Sequence, residues 1–256
     1  MPLYISVQTG SFASNHVSLG AMGDSAFEYL IKTWVLRGRK EEWLKEMYDK
    51  ATDGIMKHMV KTSASDHLTY VAEYKGGSPI HKMDHLACFV GGMFILGAPY
   101  AKDPEEHIKV AKGVGETCFQ MYATQKSGLS PENVEFGGGS MHAGSVYNIQ
   151  RPEAVEAWFY LWRATKDPIW REHGWAMLQN FNKCCKIESG GYVGVRDVRQ
   201  DPPPLDDTQQ TFWLAETLKY LYLLFSDDET IPLDKYVFNT EAHPLKIWVD
   251  DAKKQS

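Results

Sequence analysis

Acidic side chains recur in this sequence where an apolar core is expected. The apolar run after Gly23 carries Asp24 and Glu28, four residues apart and therefore on one face of a helix. The run around Leu86 carries Asp84 and His85, the run after Gln150 carries Arg151, Glu153 and Glu156, and the run ending at Phe225 carries Glu216. Burying an unpaired carboxylate is costly, so such groups are either paired or functional. Two carboxylates facing one another across a cleft suit glycoside hydrolysis. One protonates the leaving oxygen, and the other activates water or attacks carbon. Each residue also has an ordinary structural use. Asp24 could cap a helix, Glu153 could answer a helix dipole, and Glu156 could pair with Arg151 or Arg163. His85 could be a hydrogen-bonded core histidine, and Glu216 could pair with Lys219 or Lys235. Their convergence on the most apolar segments favours a site.

The elements that must carry these groups read as helices in alternating character. An extended start runs to Leu19, with turn signals at Thr9-Gly10 and Ser14-Asn15. A helix from Asp24-Ser25 through Leu36 ends at Arg37-Gly38-Arg39. An amphipathic helix follows from about Glu41 to Val60, and Leu68–Ala72 reads as a short strand. Further helices are expected from about Met83 through Leu96, Pro104 to Gln125, Arg151 to Thr165, Asp167 to Lys186, and Thr208 to Phe225. Pro152 sits in the first turn of its helix, where no N–H is missed. After Gly190-Gly191 comes a possible strand. The first, third, fifth and seventh helices are apolar on most sides; the second, fourth and sixth have one wet face. That alternation fits an α/α toroid, in which a ring of buried helices lies inside a ring of amphipathic ones. Seven helices make an incomplete ring.

The chain has 256 residues, enough for one large domain with a real core. Its net charge of -6 and the lack of a basic stripe argue against nucleic acid as a partner. No apolar run reaches the ~20 residues needed to span a bilayer. The start, Met1-Pro2-Leu3-Tyr4, has no basic segment or apolar signal core, which by itself suggests a cytosolic protein. Of the four cysteines, the adjacent Cys184 and Cys185 are unsuited to pair with each other. Cys88 and Cys118 could close a loop between two helices, or remain free buried thiols.

Several stretches together resemble the class I α-1,2-mannosidases of glycoside hydrolase family 47. They are SLGAMGDSAFEYLIK from Ser18, LTYVAEYKGGSPIHKMDHLACFVGGMFILGA from Leu68, RPEAVEAWFYLWRAT from Arg151, GGYVGVRDV from Gly190, FWLAETLKYLYLLFSDDE from Phe212 and FNTEAHPL from Phe238. The resemblance covers nearly the whole chain. It implies an all-α fold, the (α/α)7 barrel, of which residues 1–256 would be the C-terminal part of a single catalytic domain. It implies hydrolysis of terminal α-1,2-linked mannose from high-mannose N-glycans, with inversion and with a Ca2+ at the base of the funnel. Carried over position by position, Asp24 matches a catalytic carboxylate and Glu153 the general base. Glu156 matches a further acidic site residue, His85 a site histidine, Arg151 a substrate-positioning arginine and Phe212 an aromatic under the sugar. Glu216 and Glu241 match carboxylates that order water near the metal, and Thr240 the direct calcium ligand. Hard oxygen donors are what Ca2+ prefers.

The resemblance also implies a Cys88–Cys118 disulfide. A bridge persists in oxidising compartments and so overrides the cytosolic reading in favour of the secretory pathway, the lumen of the Golgi or endoplasmic reticulum. Met22 stands two residues before Asp24, where endoplasmic-reticulum members carry arginine; this leans towards the Golgi-like type. Three departures stand out: Ala26 where a bulky aromatic is usual, Trp213 where Phe is common, and Gln150 where an apolar residue precedes RPE. The family domain is about twice as long, and the part with no counterpart here carries the glutamate suited to be general acid. The 256-residue chain alone is therefore expected to be inactive. The alternative reading is a lectin-like, degradation-targeting relative that binds mannose without cleaving it; such relatives lack the cysteine pair.

Overall fold

The computed structural model describes residues 1–249. Seven α-helices follow in order: α1 (Asp24–Leu36), α2 (Glu42–His58), α3 (Phe89–Gly97), α4 (Pro104–Ala123), α5 (Glu153–Thr165), α6 (Ile169–Cys184) and α7 (Leu218–Phe225). Short strands of two or three residues fill the connections and make small antiparallel sheets. The expected strand is present as Thr69–Val71 and pairs with Val60–Thr62.

The core lies where α3 and α5 meet. α3 packs against α4 and α5, α1 against α2 and α3, and α5 also against α4, α6 and α7. Every residue from Ala154 to Leu161 is buried. α3 is buried along almost its full length. Gly92 allows the close approach, since a Cβ there would lie 2.9 Å from the Tyr160 ring. α2, α4 and α6 each bury a single stripe, which for α2 is Leu44, Tyr48, Thr52 and Ile55. The alternation of inner and outer helices is therefore real.

Three expectations shift. The third helix does not begin at Met83: Lys82–Asp84 forms a strand paired with Asn133–Glu135, and a 3-10 turn, His85–Cys88, leads into α3. The seventh helix does not begin at Thr208. Residues 205–208 instead bond to the loop around Gly194, with Gly194 N–H donating to Thr208 O at 2.9 Å and Asp206 N–H to Gly194 O at 3.1 Å. A π-helical turn, Trp213–Thr217, then precedes α7. Finally, α7 is not enclosed on all sides. Its inner face meets α5 and α6, but Leu214 and Tyr222 are 60% and 67% exposed, because no described element covers that side.

Cys88 and Cys118 form a disulfide joining the end of the 3-10 turn to α4, with a Cα–Cα distance of 6.0 Å. Cys184 and Cys185 are buried and free. The bridge spans 30 residues, which in the chain-entropy account contributes about 3–4 kcal/mol. Replacing both Cys88 and Cys118 by alanine is expected to cost about that much in urea unfolding of oxidised protein. Replacing Cys184 should remove no crosslink. Alkylation of unreduced, unfolded protein should label two of the four cysteines; four labelled thiols would contradict the pairing.

Candidate active site

α1 starts abruptly at Asp24 because Gly23 lets the chain turn tightly: a Cβ there would sit 2.1 Å from the Ser18 carbonyl. Asp24 does not cap the helix. Its Oδ1 accepts from the Ser25 N–H, at 2.8 Å, and the carboxyl lines a cavity of about 160 Å3. α5 starts one residue after Pro152, so Glu153 lies at its positive end and Glu156 one turn on. Gln150 has φ 68° and turns the chain into this helix; Asn148 Oδ1 accepts its N–H at 2.9 Å, and its carbonyl accepts from the Thr217 hydroxyl at 2.7 Å. The π turn holds Glu216 on the same cavity, with Phe212 just before it. A π turn inserted in a helix is a common functional-site device.

The remaining wall comes from the hairpin of strands Tyr236–Phe238 and Pro244–Lys246. Asn239 Oδ1 accepts from the backbone N–H of Glu241 and of His243, each at 2.9 Å, and shapes the tip that presents Thr240 and Glu241. The cavity is thus lined by Asp24, Arg151, Glu153, Glu156, Phe212, Glu216, Thr240 and Glu241. Eight of the nine residues singled out for catalysis, sugar contact or metal meet there. The ninth, His85, stands behind it: Nδ1 is 3.0 Å from Glu153 Oε2, and Nε2 is 2.8 Å from the Tyr122 hydroxyl. His85 is 1% exposed, so it is both a hydrogen-bonded core histidine and a partner of a cavity carboxylate.

Other structural uses are settled by the contacts. Glu156 pairs with neither Arg151 nor Arg163 but with Lys32, at 3.0 Å. Arg163 donates to the carbonyls of Asp227, Asp228 and Thr230. Lys219 donates to the Ala242 carbonyl at 2.8 Å and not to Glu216.

Three residues of the site carried no sequence signal of their own. Lys32 is 3% exposed, pairs with both Glu28 and Glu156, and lies 3.5 Å from the Asn239 carbonyl. Burial works to lower its pKa, but the carboxylates of Glu156 and Glu28 hold it well above the ordinary lysine value. Glu132 binds the Arg151 guanidinium through Nε at 2.7 Å and a terminal nitrogen at 2.6 Å. Tyr122 supports His85. Glu28 had been legible as the face partner of Asp24, and it does line the cavity. An i,i+4 Glu–Lys spacing was the available clue to Lys32.

The electrostatics are those of crowded acids. Burial, with smaller contributions from Glu153 and Glu28, raises Asp24 above the usual carboxylate range. Burial also raises Glu156, against the pull of Lys32. Burial and the facing Glu241 carboxylate push Glu216 up to about 8. Among the described residues no cluster of three His, Cys, Asp or Glu side chains could hold a metal. What the cavity base does offer is a buried carboxylate facing a second one beside a threonine hydroxyl, all hard oxygen donors.

A family model described as glycosyl hydrolase family 47 matches residues 1–247. The chain belongs to this family. It is 45% identical over 252 residues to mannosyl-oligosaccharide alpha-1,2-mannosidase IA of Drosophila melanogaster, covering 96% of this chain and 38% of that protein. It is 42% identical to mannosyl-oligosaccharide 1,2-alpha-mannosidase IA of Sus scrofa, covering 99% of this chain and 39% of the relative. The chain thus spans about two fifths of the length of these curated relatives. Among solved structures, an alpha-1,2-mannosidase from Trichoderma reesei superposes with a TM-score of 0.88 at 28% identity, over 95% of this chain and 55% of that one. The fold is accordingly that of family 47, an all-α barrel architecture with a few short strands. A D-mannose isomerase superposes with a TM-score of 0.61 at 11% identity, a likeness of fold alone.

The Glu216–Glu241 pair gives a pH signature. A carboxyl whose folded-state pKa lies above its unfolded value takes up a proton on folding between the two, so it costs stability as pH rises through that window. For Glu216 the window runs from 4.5 to about 8. In metal-free protein, Glu216→Gln is expected to raise the melting temperature at pH 8 by several degrees and to change it little at pH 5. A loss of stability at pH 8 would contradict the like-charge reading.

Proposed function

We propose that this chain forms part of the catalytic domain of a mannosyl-oligosaccharide 1,2-α-mannosidase, which removes terminal α-1,2-linked mannose from high-mannose N-glycans in the secretory pathway. The observation that carries the reading is the convergence of Asp24, Glu153, Glu156, Glu216 and Glu241 with Arg151 and Phe212 on one cavity. Those elements come from four separate stretches of sequence, and the family's relatives bear that enzyme name.

In this proposal Glu153 is the general base. It lies at the positive end of α5, where the helix favours the anion, and His85 donates to it and holds it in place. Glu153 removes the proton of the attacking water. Attack from the face opposite the leaving oxygen inverts the anomeric carbon. Asp24, raised by burial, keeps a proton more readily than an exposed aspartate and assists the departing oxygen. The stronger candidate for full proton donation is a glutamate of the family domain with no counterpart in these 256 residues. Arg151, fixed by Glu132, and the Phe212 ring beside it hold the sugar. Glu156 and Glu28 accept from sugar hydroxyls while Lys32 balances their charge.

A Ca2+ suits the base of the cavity, with Thr240 as direct ligand and Glu216 and Glu241 ordering water around it. The like charges of Glu216 and Glu241 face each other there and would be relieved by a cation. Such an ion supplies positive charge and ordered water at the floor of the site. At a concentration 100-fold above its dissociation constant it would stabilise the fold by about 2.7 kcal/mol.

In a catalytically competent polypeptide carrying this chain, Glu153→Gln should lower turnover by at least ~100-fold while binding of a mannose-like inhibitor largely survives. Product NMR should show inverted configuration; retention would overturn the mechanism. Equal melting temperature and activity with and without chelator would remove calcium from the proposal. The 256-residue polypeptide alone should show no measurable turnover. Mannose binding without cleavage in the competent polypeptide would point instead to the lectin-like reading.

A further inference from the structure

The hairpin tip that walls the cavity is held by side chains of two inner helices. Lys32 of α1 reaches the Asn239 carbonyl at 3.5 Å, and Lys219 of α7 donates to the Ala242 carbonyl at 2.8 Å. Within the tip, Asn239 Oδ1 accepts the N–H groups of Glu241 and His243. Ala242 takes φ 56°, a left-handed conformation that turns the chain towards the second strand. Each of these contacts fixes backbone. None of them sets the side chain of Thr240, which stands between the two held carbonyls and lines the cavity.

That side chain has a partner of its own. The Thr240 hydroxyl lies 3.0 Å from the Tyr29 phenol oxygen, its one hydrogen bond among the described residues. Tyr29 stands on α1 four residues after Ser25, which lines the cavity, and three before Lys32, so the three share a helix face. Between two hydroxyls either can supply the hydrogen. An oxygen that shares its lone pairs with a cation must send its hydrogen the other way, and the phenol oxygen is within reach to take it. Tyr29 is 40% exposed, so its own hydrogen can go to water. Threonine χ1 has three staggered positions, and turning it by one puts a methyl group or a hydrogen where the hydroxyl stood. A hydrogen bond at Oγ1 selects one of them.

We infer that Tyr29 is a positioning residue for Thr240: its phenol oxygen takes the Thr240 hydrogen, fixes the hydroxyl in one rotamer and leaves the lone pairs of that oxygen to a hard cation at the cavity base. Tyr29 acts on the ion only through Thr240, as the outer partners of metal ligands commonly do. The two lysines hold the tip in place, and the tyrosine aims the one side chain on it that carries a hydroxyl. This role rests on the calcium reading of the cavity base, with Thr240 as ligand. The setting of the hydroxyl itself is measurable without the ion and without turnover.

Tyr29→Phe removes the phenol oxygen and keeps the ring. Three measurements on the purified 256-residue protein test its effect. In metal-free protein, three-bond couplings from backbone 15N and carbonyl 13C to the Thr240 methyl carbon report χ1. The expected result is a single rotamer in wild type and averaged couplings in Tyr29→Phe. In calorimetric titration with CaCl2, Tyr29→Phe is expected to bind ~10–100-fold more weakly than wild type. The metal-free melting temperature should change by no more than about 2 °C, because the substitution is at the surface. Equal calcium affinity in the two proteins overturns the inference. So does an averaged Thr240 rotamer in wild type, or an unchanged single rotamer in Tyr29→Phe. A much larger fall in the metal-free melting temperature makes Tyr29 a support of the fold instead, and also overturns it. Each of those results leaves the calcium reading standing. A wild type that binds no calcium overturns that reading, and the role of Tyr29 with it.

Discussion

The buried ammonium of Lys32 is what allows so many carboxylates to share one cavity. Asp24, Glu28, Glu153, Glu156, Glu216 and Glu241 all line it. Two unit charges 4 Å apart interact by about 4 kcal/mol at an effective dielectric of 20, so an uncompensated cluster of this kind would drive the walls apart or fill with protons. Lys32 reaches from α1 to Glu156 on α5 and to the carbonyl at the hairpin tip. Three elements that are distant in sequence are tied at one nitrogen. At the rim, Arg151 performs the same service for Glu132. Glu216 and Glu241 form no ion pair among the described residues, and that imbalance is concentrated where oxygen donors would face a hard cation.

Much of this was legible in the sequence, for reasons that differ from residue to residue. The buried acids announced themselves because an apolar helix has little other use for Glu156 or Glu216. The inner and outer helices could be told apart because burial on one side or on all sides leaves different periodicities. The strand at Lys82–Asp84 was not legible. Those residues look like the first turn of an apolar helix, and only pairing with a segment some fifty positions later makes them extended. The late start of the last helix has the same origin: Thr208 and Asp206 are claimed by the loop at Gly194. Lys32 was invisible because a lysine four residues after a glutamate normally reads as a solvated pair; its burial depends on α5 closing over it. Tyr122 looked like an ordinary core residue, since nothing in local sequence shows that its hydroxyl will meet His85.

The site concentrates its irregular backbone. A left-handed Gln150, a π turn at Trp213–Thr217, a glycine-dependent start at Gly23 and a side-chain-shaped tip at Asn239 each sit directly beside a cavity residue. Regular helices supply the mass that resists deformation, and the irregular joints supply the angles. The arrangement places Glu153, Asp24, Glu216 and Thr240 at helix starts or turn tips, where a small local change re-aims a side chain without disturbing the α3–α5 core.

The disulfide acts in this architecture as a shear pin. Cys88 closes the 3-10 turn that opens with His85, and Cys118 lies one helical turn before Tyr122. Packed helices tolerate sliding more readily than separation, and a slip of α4 by one turn would carry Tyr122 about 5.4 Å along its axis. The covalent link forbids that slip, so the alignment of the phenol with the imidazole is locked when the two thiols are oxidised. Oxidative folding would then be the step at which the axial setting of α4 becomes permanent.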